Sequence, residues 1–525
     1  MTAGKAAPLV PTDEKGKPDS VPIDDPKKDN YWLGWKGTMV LGLLILAGHT
    51  WFLFYLEFEY KERYYAYPHL TAVRDYVSLW VPIFLGTIAL ETVYFWITAP
   101  KSDVYRLNDS MGSLTLGSFN QLVKKLIKQV LFMHGPYCWV WANYGQYVAE
   151  RYTILQNYWL SWWLMFLAVE FSYYWVHRTG HTINAFWAMH GVHHSSEAYN
   201  LTTALRQSSL HFSVGWLYYI PFALFFPPPL YFMHDQFNLL YQYWIHTQVV
   251  GKLGPLEYIL NTPSQHRVHH GRNAYCIDKN YGGTLCIFDR LFGTYQEEIE
   301  EVPVVFGITH SLNTFEPIKA NVRPWKGIFS NIKTVPGLMN KILCVWNGPG
   351  WIPGTHPKEE YPIPPCTRAS VRKYNTELTL PWKFYLVVLF LYTTVGLQAA
   401  IVGMEQSGSL YCYSVVGMFY FGLSLFCIGL TCDIDPWAVP TQILHAVLGG
   451  IYLAYGVACF QSESEWKTAE LAAIAIITLC TVLFVFLRRK DMDPSRIQYG
   501  EDFEFAALSE QFQWELVEPK KQKVQ

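Results

Sequence analysis

Residues 382–402 read WKFYLVVLFLYTTVGLQAAIV, a run whose single charged residue is Lys383. A bilayer core of about 30 Å is spanned by about 20 apolar residues in a helix. The helix is also the form that satisfies every backbone N–H and C=O within the segment. Three similar runs follow at 411–432, 438–460 and 468–487, and two precede at 37–56 and 77–99. Between them, 127–148, 158–176, 212–226 and 230–250 carry internal Gln, His or Asp and read as membrane hairpins, some of whose members are re-entrant or interfacial. The expected fold class is therefore all-α, a polytopic membrane helical bundle of about nine to ten hydrophobic segments. A composition of 51% hydrophobic and 17% aromatic residues agrees with it, and a net charge of -2 offers no basic field for nucleic acid.

The runs divide the chain. Residues 1–30 are polar, charged and proline-bearing and read as a disordered cytosolic tail, not a cleaved signal. Residues 31–302 hold the first spans and the candidate chemistry. Residues 303–375 are rich in Pro and Gly, as in NGPGWIPGTHPKEEYPIPP, and are expected to form a cytosolic loop region with short amphipathic pieces. Residues 376–490 form a four-span block, and 491–525 a second cytosolic tail. Arg368, Arg372 and Lys373 before the block and Arg488, Arg489 and Lys490 after it place both of its ends in the cytosol. If the earlier spans come as hairpins, the histidine-rich loops face the cytosol too. The final KQKVQ fits the K-x-K-x-x pattern of an endoplasmic-reticulum retrieval signal. The sequons at Asn108 and Asn200 then go unglycosylated. The ten cysteines are scattered and read as small buried hydrophobes.

Of 17 histidines, 11 fall between His177 and His270. Eight form three clusters: HRTGH (His177, His181), HGVHH (His190, His193, His194) and HRVHH (His266, His269, His270). At this histidine content H-x-x-H-H is expected by accident about 0.02 times in such a chain, and it occurs twice. Residues three or four apart share a helix face, so two imidazoles can converge on one ion. Eight imidazoles exceed the four ligands of a structural zinc site and suit a two-metal centre with open positions. His246 in LLYQYWIHTQ is a ninth candidate, with Gln242 one turn earlier. His211 and His234 lie nearby without the spacing and read as interior histidines. Glu170, Tyr174, His177 and His181 fall along one face. Glu170 is thus a candidate partner or ligand of the metal-site histidines, although an interhelical hydrogen bond would equally explain a carboxyl in an apolar run. Glu197, three residues after His194, could orient the second cluster. Imidazole suits zinc, copper and iron alike. So many histidines beside a bilayer favour iron and oxygen activation over hydrolysis, which needs three ligands and a water.

At these residues the sequence resembles the fatty acid hydroxylase superfamily of membrane di-iron enzymes. All eight motif histidines are present. Within it, WAMHGVHHSSEAYNLTTALRQS (187–208) and NTPSQHRVHHGRNAYCIDKNYGGTLCIFDRLFGTYQEE (261–298) look like the alkylglycerol monooxygenases. The resemblance implies a multi-pass enzyme of the endoplasmic reticulum that uses O2 and diffusible tetrahydrobiopterin. Its substrates would be 1-O-alkylglycerols and lyso-alkyl-phospholipids, hydroxylated at the ether-linked carbon and released as fatty aldehyde and a glycerol derivative. Two iron ions would be held by His177, His181, His190, His193, His194, His266, His269 and His270, joined by His246. The polar segment Glu197, Tyr199, Asn200, Arg206 and Gln207 is similar too, without an assignment to pterin or substrate. No nicotinamide fingerprint G-x-G-x-x-G follows a strand, which agrees with an electron source outside the chain. Phe166, Phe171, Trp187 and Phe212 are candidates for an apolar lining. The rival readings are a sterol or sphingolipid hydroxylase or desaturase of the same superfamily and, from another class, a histidine-lined metal transporter. Transporters, however, place their ligands near the midplane in broken helices of repeated halves.

Overall fold

The computed structural model describes residues 73–500 apart from 131–134, 211–214, 352–365, 368–369, 405–407 and 461–466. The expected span at 37–56, the N-terminal tail and residues 501–525 lie outside the described residues. A short turn of helix, Tyr76–Leu79, is capped by Asp75, whose side chain accepts the Ser78 N–H at 3.0 Å. It leads into α1 (Val81–Thr98), where the second span was expected. The next helix, α2 (Leu107–Val130), was not anticipated: it opens on Asn108, Asp109 and Ser110, all buried, and its polar residues mask its helical period.

The expected span at 127–148 is helical on both sides of residues 131–134. After α2 the chain forms Gly135–Val140, a π-helical turn at Trp141–Gly145 and Gln146–Arg151. Gly145 lies so close to a neighbouring segment that a Cβ there would stand 2.1 Å from the Ala223 carbonyl oxygen. The first histidine cluster sits at the end of α3 (Tyr158–Thr182), which is started by the Asn157 side chain accepting the Leu160 N–H. The second ends α4 (Asn184–His194), entered through one extended residue, Ile183. The expected span at 212–226 is corrected: its described part consists of the 3-10 turns Trp216–Tyr218 and Ile220–Leu224, the second opened by a proline.

Three prolines then start α5 (Pro228–Trp244), two of them in its first turn. Seventeen residues rise about 26 Å, and nearly all of α5 is buried among its neighbours, so it is a core helix and not a lipid-facing one. Two short helices follow, α6 (Pro263–His269), with the third cluster, and α7 (Ile287–Phe292). In place of a surface loop, the described part of 303–375 holds α8 (Pro317–Thr334) and α9 (Leu338–Trp346).

The C-terminal block comprises α10 (Leu380–Gly403), α11 (Ser409–Cys432), α12 (Ala438–Phe460) and α13 (Lys467–Leu487), matching the four expected runs closely. Among the described residues, four helices are long and apolar enough to cross a membrane: α1, α10, α11 and 438–459 of α12. Residues 491–500, expected as tail, fold back, and β2 (Ile497–Gln498) pairs antiparallel with β1 (Asn375–Thr376). Both sequon asparagines are buried; Asn108 donates to Asn375 Oδ1 at 2.7 Å and Asn200 to the Val104 carbonyl at 2.6 Å.

The block is fastened to the histidine-bearing half through α11. Leu122 of α2 packs with Leu397, Phe421 and Leu425. At the end of α11, buried Asp433 accepts from Thr314 Oγ1 at 2.5 Å, Phe315 N at 2.7 Å and Tyr374 OH at 3.1 Å. Removing one partner of a buried hydrogen bond costs about 1–3 kcal/mol for each group left unsatisfied. Asp433→Ala is therefore expected to cost about 2–4 kcal/mol. A lowered melting temperature of the detergent-solubilised protein checks it, and an unchanged one would show that the block holds to the rest without this link.

Candidate metal centre

The nine histidines assemble into two groups. His177, His181, His190, His194 and His269 form one, and His193, His246, His266 and His270 the other; within each, one ring nitrogen per residue lies within 4.8 Å of all the rest. The two H-x-x-H-H motifs are used reciprocally. From α4, His190 and His194 join the first group and His193 the second. From α6, His266 and His270 join the second and His269 the first. Residues four apart share a face while the third residue of the turn is rotated away from it, so one short helix can serve two adjacent ions. The groups touch: the His194 and His270 rings stack with centroids 4.4 Å apart.

Backbone carbonyls set which nitrogen faces inward. His177 Nδ1–H donates to the Tyr281 carbonyl (2.9 Å), His269 to Lys279 (2.8 Å), His193 to Arg206 (2.9 Å) and His246 to Gln242 (2.7 Å). A carbonyl only accepts, so each of these Nδ1 atoms carries the proton and each Nε2 presents a lone pair. The Nε2 atoms then crowd together, His190 to His177 at 3.1 Å and to His194 at 3.0 Å, His246 to His266 at 3.0 Å and to His270 at 3.1 Å. Adjacent ligands on bonds of about 2.1 Å to one ion stand about 3.0 Å apart, which is this spacing. The Nδ1 protons are fixed for both His193 and His246, whose Nε2 lone pairs face each other at 3.3 Å and repel unless a cation lies between them. His181 Nε2 and His269 Nε2 are buried without a hydrogen-bond partner, as donors waiting for a metal would be.

Burial, followed by the neighbouring imidazoles, holds His194, His266 and His270 well below the usual histidine range, and burial does the same for His269. Burial pushes His246 down to about 4. The rings are therefore neutral at physiological pH, the state in which imidazole binds metal. Neither group includes a carboxylate or thiolate, so a bound divalent ion would keep its full positive charge.

A loop that the sequence reading passed over carries two of the four carbonyls. In CIDKNYGG, Asp278 and Asn280 take left-handed backbone conformations (φ 57° and 56°), which these residue types tolerate. Asp278 Oδ1 lies 3.5 Å from His181 Nδ1. Asp289 holds the loop by accepting the Tyr281 and Gly282 N–H groups, both at 2.7 Å. Arg206, whose carbonyl serves His193, is itself fixed by a buried ion pair to Asp109 of α2 at 3.0 Å. No spacing rule pairs residues 97 positions apart.

A family model described as fatty acid hydroxylase matches residues 162–294, which contain all nine histidines. An alkylglycerol monooxygenase of Homo sapiens is 45% identical over 339 residues, 64% of this chain and 73% of that protein. The chain belongs to the alkylglycerol monooxygenase family. It is an oxidoreductase. An alkylglycerol monooxygenase of Caenorhabditis elegans is 31% identical over 436 residues, 78% of this chain and 81% of that protein. The ornithine lipid hydroxylase OlsE of Rhizobium tropici is 29% identical over 146 residues, 27% and 43% of the two chains. No solved structure matches the chain.

In this member of the alkylglycerol monooxygenase family the two expected catalytic carboxylates do not reach the histidines. Glu170 accepts from Asn238 Nδ2 (2.6 Å), Thr284 N (2.8 Å) and Leu285 N (2.9 Å). Glu197 accepts the Tyr374 N–H at 2.7 Å and faces Arg106 at 3.7 Å; burial raises its pKa, and Arg106 opposes the rise. A carboxylate ringed by backbone N–H groups is already satisfied. Gln242 serves through its carbonyl, and its side chain bonds Tyr173 and Asn238. His234 stands apart, its ring edge-on to Trp162 at 4.4 Å. Of the expected lining, Trp187 packs on His181 and His194, Phe166 on His234 and Phe171 on Phe288, while Phe212 lies outside the described residues.

Two substitutions follow from this geometry. His194→Ala is expected to lower the metal bound by the purified protein and abolish turnover while the protein still accumulates; full metal content by mass spectrometry would remove His194 from the ligands. Glu170→Gln is expected to lower activity at least about tenfold. An amide cannot accept at every point where Glu170 does, and the turn 281–285 that Glu170 holds also carries the Tyr281 carbonyl that orients His177. Normal activity with unchanged melting would separate Glu170 from the site.

Proposed function

We propose that this chain is an O2- and tetrahydrobiopterin-dependent monooxygenase. It hydroxylates the ether-linked carbon of 1-O-alkylglycerols and their lyso-phospholipid relatives, with two ferrous ions held by the nine histidines. The observation that carries the reading is the pair of touching, all-imidazole groups, taken with the family relationship. The metal pair, when bound, supplies the activation of O2 that places one oxygen atom on the substrate. The other atom leaves as water, with two electrons and two protons from the pterin. The hydroxylated carbon is a hemiacetal, which collapses to fatty aldehyde and the freed glycerol hydroxyl.

The chain's own residues bind and orient. An apolar crevice formed by Val176, Phe186, Met189 and Tyr218 has His190 in its wall. The crevice is small, and the part of the alkyl chain next to the ether would seat there, which brings the ether carbon toward His190. Trp187, packed on His181 and His194, helps keep bulk water away. The residues that bind the pterin are left unassigned. The basic residues flanking the C-terminal block support a cytosolic site, and the K-x-K-x-x pattern of KQKVQ supports an endoplasmic-reticulum membrane.

Iron-loaded protein in detergent, given 1-O-alkylglycerol, oxygen and tetrahydrobiopterin, is expected to release fatty aldehyde and glycerol. Anaerobiosis or iron chelation is expected to stop it. Aldehyde formed only with cytochrome b5 and its reductase would refute the pterin dependence. Consumption of a sterol in place of the ether lipid would refute the substrate.

A further inference from the structure

Helices α8 and α9 meet at Val335, Pro336 and Gly337 and form a hairpin outside the histidine groups. From residue 317 to 346 it contains five basic residues, Lys319, Arg323, Lys326, Lys333 and Lys341, and no acidic one. Helix α8 has three distinct faces. Ala320, Asn321 and Ile328 are buried, and Asn321 Oδ1 accepts from Ser208 Oγ and Ser209 N at 2.8 Å each, which anchors that face to the body. Ile318, Val322, Trp325 and Phe329 recur at spacings of four, three and four along a second face; Ile318, Val322 and Phe329 are exposed and Trp325 half-buried. The third face carries Lys319, Arg323, Lys326 and Lys333, of which Lys319 reaches Asp435 at 2.6 Å. On α9, Leu338, Ile342 and Trp346 are exposed in turn, Leu338 by 75%.

An anchored helix whose free sides are an apolar stripe and a cationic stripe has the pattern of an element lying in the membrane interface. Its hydrocarbon side chains enter the acyl boundary, and its lysines reach the headgroups. With Lys319 paired to Asp435, the other four cations select an anionic surface, each basic residue adding about fivefold in affinity near such lipids. We propose that the α8–α9 hairpin is a docking surface for an anionic lipid leaflet, and that it sets the crevice beside His190 at headgroup depth. The second clause rests on the lipid-substrate reading above. It is supported by the way α9 is tied to the start of α4: Asn184 N donates to the Asn347 carbonyl at 2.9 Å and Asn184 Nδ2 to the Cys344 carbonyl at 2.8 Å. Two residues on, Phe186 lines the crevice and meets Trp346 with ring centroids 6.5 Å apart. The hairpin therefore borders the crevice mouth.

The test uses the full chain in nanodiscs of phosphatidylcholine, with or without phosphatidylserine, carrying a genetically encoded fluorophore at Phe329 or, as control, at exposed Glu300. Acrylamide, a neutral aqueous quencher, is expected to quench position 329 at least about threefold less than position 300. Doxyl-labelled lipid is expected to quench 329 alone, more strongly when phosphatidylserine is present. The double variant Lys326→Glu, Lys333→Glu is expected to abolish the phosphatidylserine effect and to raise KM for long-chain alkylglycerol in vesicles. It should leave metal content and kcat on a short, water-soluble alkylglycerol unchanged. Equal acrylamide quenching at 329 and 300 in both disc types would overturn the proposal and leave this face to a protein partner. Lipid quenching indifferent to phosphatidylserine would overturn it as well. Absence of turnover on any substrate would refute the monooxygenase reading while the quenching result still decides the docking surface.

Discussion

Everything near the centre of this molecule answers one electrostatic problem, the crowding of imidazole lone pairs. With the Nδ1 protons of His193 and His246 committed to backbone carbonyls, their Nε2 atoms stand 3.3 Å from one another, and other ring nitrogens lie as close as 3.0 Å. Two neutral acceptors facing each other at that distance gain nothing by themselves. The surrounding structure holds the rings in place through acceptors behind them, and a cation among them converts repulsion into bonding. That an oxidoreductase family should use this arrangement follows from the donor set. Neutral nitrogen ligands leave the charge on the metals, and two adjacent groups let two metals act on one small molecule.

The acceptors behind the rings come from widely separated parts of the chain, and each has its own support. The carbonyls of Lys279 and Tyr281 are presented by a loop with two left-handed residues and pinned by Asp289. That loop approaches α5 so closely that a Cβ on Gly283 would stand 2.2 Å from Asn238 Nδ2. Asn238 in turn donates to Glu170 of α3, four residues before Tyr174 and seven before His177. The Arg206 carbonyl is held through Asp109, and Glu197 bonds the backbone at Tyr374, just before the C-terminal block. The centre is thus positioned by α2, α3, α5, the 278–282 loop and the base of the C-terminal helices together.

Two kinds of information were legible in the sequence. Runs of apolar residues gave α10–α13 almost to their ends, because hydrophobicity along a spanning helix is a local property. The histidine motifs gave the ligand candidates, because the three- and four-residue spacing is local too. The geometry showed that each H-x-x-H-H divides between two groups, a consequence of helix rotation acting on two facing helices, which one helix considered alone does not reveal. Polar helix α2 was missed because its period is hidden by buried Asn, Asp and Ser that have partners far away in sequence. The segments 127–148 and 212–226 read as spans on apolar content, but the first passes through a π-helical turn at Trp141–Gly145 and the described part of the second is made of 3-10 turns, one opened by a proline. Glu170 was expected as a partner or ligand of the metal-site histidines or as an interhelical hydrogen bond, and Glu197 as orienting the second cluster, whereas both accept from backbone N–H groups. Those groups come from remote turns, and no local pattern announces them.

The bond between His177 and the Tyr281 carbonyl joins residues 104 positions apart. At about 5–20 residues per second of synthesis, roughly 5–20 s pass between the emergence of the two. Through most of that interval His177, His181, His190 and His194 lack the Tyr281 carbonyl and the fifth ligand candidate, His269, and the incomplete set can hold a stray metal ion in the wrong number and geometry. Correct loading therefore belongs after translation has passed the loop. A chain of this architecture would meet its metals nearly finished, and the metal supply at that moment, as well as the affinity of any one histidine, would govern which ion is captured.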